Sequence, residues 1–161
     1  MFKKALLVGT VLALSSSLAF AGTPYVGGGL GVGGFKHQGG AIANIFGGYG
    51  STFGASQNFY LGGELNFDVG HYTTYGTAYG LGVSILPGLM LSQSTMLYGR
   101  FGIDTIHSSY KQMNQGTTFG TEYGLGLQTN VYEKWDVRGE YVYSNAKSDG
   151  QYNLSLVYKF D

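Results

Sequence analysis

The chain has 161 residues, nine of them basic and nine acidic, and only 11% is charged against roughly 25% in ordinary soluble domains. It carries 29 glycines, 16% aromatics and no cysteine, which excludes disulfides, a lipid-modified N-terminal cysteine and thiolate metal sites. No basic surplus points to nucleic acid, and no run of about 18 apolar residues points to a membrane-spanning helix.

The N-terminus reads as a targeting segment. Met1, Phe2, Lys3 and Lys4 make a short positive head, Ala5 to Leu14 is mostly apolar, and Ala19, Phe20 and Ala21 form a cleavage site of the A-x-A type. The apolar run is too short to span a bilayer as a helix. Residues 1–21 are therefore expected to be a signal peptide, and residues 22–161 a single domain of 140 residues. Without Lys3 and Lys4, seven basic residues face nine acidic ones, a net charge near −2.

Eight segments then alternate with period two, the signature of a strand. The first, Pro24 to Gly34, puts Val26, Leu30 and Val32 on one face, and 35–40 is a short polar loop. The second runs from Ala41 to about Phe53, with Ile45 and Phe46 each able to claim the apolar side, and 54–58 is a turn. In the third, Phe59, Leu61, Leu65, Phe67 and Val69 oppose Tyr60, Glu64, Asn66 and Asp68. Residues 70–75 form a loop, and the fourth sets Thr77, Tyr79, Leu81, Val83 and Ile85 against Ala78, Gly80, Gly82 and Ser84. Pro87 and Gly88 are expected to break this strand, leaving 86–94 as a turn.

The fifth, Thr95 to Thr105, sets Leu97, Phe101 and Ile103 opposite Arg100 and Asp104, and 106–116 is the longest connection. The sixth sets Phe119, Tyr123, Leu125, Leu127 and Val131 against Glu122, Gln128 and Asn130, before a tight turn at 132–134. The seventh sets Trp135, Val137, Tyr141 and Tyr143 against Asp136, Arg138 and Glu140, followed by a polar loop at 145–150. The eighth is the clearest: Tyr152, Leu154, Leu156, Tyr158 and Phe160 share a face against Gln151, Asn153, Ser155, Val157 and Lys159. A transmembrane strand needs about 9–11 residues and carries aromatics at both membrane interfaces, which is the pattern of this face.

A soluble eight-stranded barrel of the lipocalin type is the rival, with the apolar face turned inward. Its outer surface would then be mostly glycine, alanine and serine with about one charge per strand, a poor face for water. The same residues suit the lining of a narrow barrel. The expected fold is thus all-β, an eight-stranded antiparallel up-and-down transmembrane β-barrel in the bacterial outer membrane, closed because lipid tolerates no unpaired backbone.

Three motifs then bring a family into view: Phe46-Gly47-Gly48-Tyr49, Leu97-Tyr98-Gly99-Arg100, and the aromatic-terminated last strand ending Tyr158-Lys159-Phe160. The chain resembles the eight-stranded outer-membrane barrels, namely the OmpA transmembrane domain, OmpX/Ail and the opacity-type porins, over the whole of residues 22–161. The resemblance implies that Tyr158 and Phe160 form the signal read by the barrel-assembly machinery. Family members usually end on the aromatic, whereas Asp161 follows here. No peptidoglycan-binding domain is expected.

Glu64, Arg100, Glu122, Arg138 and Glu140 all fall on the small-residue face and are expected in the lumen. Buried charges cost several kcal/mol each unless paired, so these five read as an ion-pair network that plugs the barrel. Arg100 is expected to bridge Glu64 and Glu140. The resemblance to the OmpA domain adds a second reading, a switchable gate. His37, His71 and His107 lie in or beside the outer loops; polar loops collect histidines, and no metal site or cofactor is expected.

The stretch Ile106-His107-Ser108-Ser109, with Lys111, Gln112, Asn114 and Gly116 after it, is similar to the segment of the PagL lipid A deacylases that pairs a histidine with a serine and a glutamate. Glu122 follows at suitable spacing, yet alternation points Glu122 inward and His107 and Ser109 outward. Phe35, Tyr72, Tyr75 and Tyr110 read as an interfacial aromatic belt, with host contact as the other reading. Gly27, Gly28 and Gly29 precede no helix and make no phosphate cradle. The expected role is a monomeric structural and surface-contact protein of the envelope, meeting outer-membrane lipids, lipopolysaccharide and host surface molecules. A narrow low-conductance porin and a lipid A deacylase are the alternatives.

Overall fold

A computed structural model describes residues 22–35, 38–72, 76–108 and 117–160, with Ser108 described by its backbone alone. The expected signal peptide, 1–21, lies outside the described residues. Eight strands follow one another: β1 (Thr23–Phe35), β2 (Gln38–Phe53), β3 (Phe59–Tyr72), β4 (Gly76–Met90), β5 (Thr95–Ser108), β6 (Thr117–Tyr132), β7 (Trp135–Ser144) and β8 (Asp149–Lys159). Each pairs antiparallel with the next, and β1 closes on β8 through a ladder running from Tyr25↔Lys159 to Gly33↔Gln151. The result is a closed barrel with no free sheet edge.

The period-two pattern decides which face meets which surroundings. Leu30 is 72% exposed on the outside, Leu154 opposite it on β8 is 65% exposed, and the aliphatic side chains of β3 to β6 stand beside them. A water-soluble barrel would hide these residues. Here the polar and charged side chains are the buried ones, so the soluble rival is excluded. The uncertain register of β2 resolves in the same way: Ile45 is 63% exposed and Phe46 only 6%.

Aromatics ring the wall near both ends. Phe53 and Phe59 stack at 5.7 Å across the first turn, and Trp135, Tyr158 and Phe160 form a chain of edge-on contacts at 5.0 and 5.1 Å. Toward the loop end Phe67 stacks on Tyr79, and Tyr141 lies against Tyr152. Amphipathic rings at two levels mark the two water–hydrocarbon boundaries of a membrane wall.

Three features differ from the sequence reading. First, β4 does not break at Pro87. Its ladder to β3 continues through Leu61↔Pro87, while the ladder to β5 skips from Ile85↔Phe101 to Gly88↔Tyr98. Proline's missing N–H falls at this gap and the strand tolerates it, so the turn is only 91–94. Second, the strands run further toward the loop end than the apolar pattern does. β1 and β2 pair up to Phe35↔Gln38, and β3 and β4 up to Tyr72↔Gly76. Backbone pairing needs no apolar side chain, so a hairpin continues past the level where its outward residues stop being greasy.

Third, the lumen is not lined by small residues alone. Tyr25, Phe46, Tyr60 and Tyr98 project inward, and glycines opposite make the room. A Cβ on Gly48 would sit 2.5 Å from the Tyr25 ring, and one on Gly126 would collide with the ring of Tyr98.

Candidate functional site

The inward row of each strand delivers charge to the middle of the barrel. Arg100 on β5 and Arg138 on β7 are both buried, and between them lies Glu64 of β3. Arg138 donates from Nη1 to Glu64 Oε2 at 2.6 Å and from Nε to Gln128 Oε1 at 2.9 Å. Arg100 donates to the other oxygen of Glu64, to Ser84 Oγ at 3.1 Å and to Glu140 Oε2 at 3.3 Å, and lies 3.4 Å from Glu122. Two phenols complete the carboxylates: Tyr25 donates to Glu64 at 3.0 Å and Tyr98 to Glu140 at 2.8 Å. Ser84 donates to Glu122.

Arg138 is also held by rings. Its guanidinium carbon lies 4.4 Å from the centroid of Phe46, 5.3 Å from Tyr98 and 5.4 Å from Tyr25. A planar cation among aromatic faces is stabilised by their quadrupoles, and more so where water is excluded. The five residues Glu64, Arg100, Glu122, Arg138 and Glu140 thus share one connected network across β3, β5, β6 and β7.

The network extends to residues the sequence reading had not grouped with it. At the turn end, Asp136 accepts from Gln128 at 2.6 Å and Asn130 at 2.9 Å and pairs with Lys159 at 2.7 Å. At the loop end, Asp104 accepts from Ser144 at 2.6 Å. Asp68 accepts from Lys147 at 2.8 Å. Alternation had placed these aspartates on the inner face but gave no sign of their partners.

Lys147 is the largest surprise, because 145–150 reads as a polar outer loop. The connection between β7 and β8 instead folds into the barrel mouth, burying Ala146 and leaving Lys147 only 6% exposed. Its ammonium group also donates to Gln151 Oε1 at 2.5 Å. Ala146 joins Phe35, Ile42, Tyr72, Ala78 and Ile106 in an apolar cap over the charged layer. Phe35 and Tyr72, with ring centroids 5.5 Å apart, therefore line the inside of the mouth and belong neither to the outer belt nor to an exposed contact surface. Their inward rows continue past the membrane level with the lengthened ladder. Tyr75 and Tyr110 lie outside the described residues.

Burial alone would lower the pKa of Lys147, but the Asp68 carboxylate outweighs it and the pKa lies above the ordinary 10.5. A raised folded-state value gives stabilisation that is fully present below the ordinary lysine value. It is lost only as pH rises through the raised value. The loop should therefore stay docked through the neutral and mildly alkaline range. Limited proteolysis should cut at 145–148 only in strongly alkaline solution, and Lys147→Met should remove that dependence.

His71 and His107 stand exposed near the loop end of β3 and β5, with His71 Nδ1 3.4 Å from Thr77 Oγ1, and His37 lies outside the described residues. Glu122 is buried and committed to Ser84 and Arg100, while His107 stands on the exposed face, so the two do not form a base–orienter pair. Ser109 lies outside the described residues. Tyr158 and Phe160 sit on the outer face at the turn end, beside Trp135.

A family model described as the outer membrane protein beta-barrel domain matches residues 5–160. Among solved structures the chain is similar to Ail of Yersinia pestis in complex with the heparin analogue sucrose octasulfate. The identity is 17%, covering 88% of this chain and 100% of that one with a TM-score of 0.57. Neisserial surface protein A matches at 16% identity over 86% of this chain and 97% of that one, TM-score 0.53. The N-terminal β-barrel domain of Pseudomonas aeruginosa OprF matches at 14% identity over 86% and 99%, TM-score 0.53. At these identities the likeness establishes the fold. A comparison with curated proteins gives no match.

Proposed function

The chain belongs to the outer membrane protein β-barrel family and is a bacterial outer-membrane protein, and from that premise we propose that it is a plugged, monomeric wall element serving envelope integrity. The observation that carries this reading is the layer of Arg138, Glu64, Arg100 and Glu140, capped by Tyr25 and Tyr98, which crosses the lumen from wall to wall. Ions do not pass a layer whose charges satisfy one another and whose gaps are filled by rings. The reading includes export by residues 1–21 and recognition of Tyr158 and Phe160 by the barrel-assembly machinery. The outer wall contacts membrane lipid and lipopolysaccharide. Contact with host surface molecules is supported by the sulfated sugar bound to Ail.

Conductance tests the plug. In planar bilayers the wild-type barrel should show no steady current, and Arg100→Ala should conduct, because it removes the one cation that three glutamates share. In cells, the same variant should admit small solutes that the wild type excludes. Unchanged traces for Arg100→Ala would count against a seal made by these pairs.

A further inference from the structure

Two asparagines inside the barrel keep polar atoms that no protein group serves. Asn153 on β8 has both Oδ1 and Nδ2 unpartnered, Asn66 on β3 has its Oδ1 unpartnered, and each residue is at least nine-tenths buried. A sealed interior tolerates few such atoms, because each has lost its hydration and gained nothing in return. Register shows part of the reason. Asn153 pairs with Gly31 on β1, and Asn66 pairs with Gly82 on β4, so on one side of each asparagine the paired residue has no side chain to offer. A Cβ on either glycine would collide with the amide oxygen that lies across it.

Both asparagines line one gap inside the plug, with a volume of about 10 Å³, the room that a single water molecule needs. Because both arms of the Asn153 amide lack a partner, whichever arm meets the gap brings an unused hydrogen bond to it. The rest of the lining joins the two halves of the plug. Arg100, Glu122 and Glu140 come from the charged layer, whereas Asp68 and Gln151 are the two acceptors of Lys147. Charge then selects the occupant. The Arg100 guanidinium opposes a cation, and the carboxylates of Asp68, Glu122 and Glu140 oppose an anion. A neutral molecule that both donates and accepts is left, and only water is small enough.

We infer that one internal water fills this gap, hydrogen-bonded to Asn153 and Asn66, and forms the joint between the Arg100 layer and the partners of Lys147. A water in such a place donates to the Asn66 oxygen and serves the free arm of Asn153. Its remaining hydrogen-bonding capacity goes to the charged lining, within the two to four bonds that buried waters make. It ties β8, on the closing seam, to β3 across the lumen.

Two measurements test this. The chain is folded into phosphatidylcholine nanodiscs with isotope-labelled asparagine, and cross-relaxation between side-chain amide protons and water is recorded by NMR. The Asn153 amide, assigned by its loss in Asn153→Leu, should show a direct peak to water, with the sign given by a water that tumbles with the protein. Among the described residues lining the gap none bears a hydroxyl, so no exchanging hydroxyl of the lining can imitate that peak. Urea unfolding from vesicles then reads the energetics of Asn153→Leu, which has similar volume and no polar side-chain atom. With water in the gap, the leucine evicts it and strands Asn66 Oδ1, and the folded-to-unfolded ratio should fall about tenfold. In a dry gap the same change removes two unserved buried atoms, so an unchanged or higher ratio would overturn the inference. Absence of the Asn153–water peak in the wild type would overturn it too, and that result needs no variant to fold. Neither readout depends on whether the barrel conducts, so the plug stands or falls separately.

Discussion

Arg138→Met should lower the unfolding free energy by about 3–5 kcal/mol, the cost of leaving one partner of a buried ion pair behind. Arg138 is 1% exposed and makes two hydrogen bonds of 2.9 Å or less, one of them to Glu64. Methionine of similar length keeps contact with Tyr25, Phe46 and Tyr98, so the loss reports charge and hydrogen bonding more than packing. Glu64 would keep the Tyr25 hydroxyl and a share of Arg100, which Glu122 and Glu140 also approach. Arg138→Lys should recover only part of the loss, since an ammonium cannot donate to Glu64 and Gln128 at once from the plane of a guanidinium. Arg138→Met combined with Glu64→Gln should cost less than the two single changes added, because neither charge is then stranded. The single tryptophan, Trp135, supplies the fluorescence signal for urea titrations from vesicles. A loss below about 1 kcal/mol for Arg138→Met would mean that the pair behaves like one in water, and that the lumen is wet at this level.

The wall was legible in the sequence because a membrane imposes one rule on every strand. Outward residues must be apolar, backbone groups must pair, and the pattern therefore repeats eight times; Leu154 and Leu156 against Asn153 and Ser155 is the plainest instance. The same rule located Glu64, Arg100, Glu122, Arg138 and Glu140 on the inner face without any knowledge of register. What it could not supply was pairing across the lumen. Lys147 illustrates the limit: a lysine after Asn145 and Ala146 carries no local mark of burial, and only the closed barrel brings Asp68 to it from β3. Phe35 and Tyr72 were misplaced for a related reason, since an aromatic at a strand end has the same local signature inside the mouth as outside it. Pro87 misled because proline is a reliable breaker only where its nitrogen is needed by the ladder. Here the ladder toward β5 has a gap at that residue.

Leu154→Arg tests the other half of the architecture, the surroundings of the outer wall. Leu154 lies in the middle of β8, opposite Leu30 on β1 and Gly139 on β7, and it stands 65% exposed. In water such a position would accept arginine almost without effect, because an exposed site distant from other charges is insensitive to side-chain type. In hydrocarbon the same change should cost about 2–4 kcal/mol if the residue lies near the midplane, less if it lies toward either boundary. The depth dependence gives the experiment an internal standard. Arginine at Phe160, beside Trp135 and Tyr158 in the boundary ring, should cost no more than about 1 kcal/mol, and arginine at Leu30 should match Leu154 because the two face each other across the closing seam. Equal, small costs at all three positions would place the whole face in water and remove the membrane wall itself. A gradient from boundary to seam has no explanation except a slab of low polarity around the barrel, with the charged network on its axis.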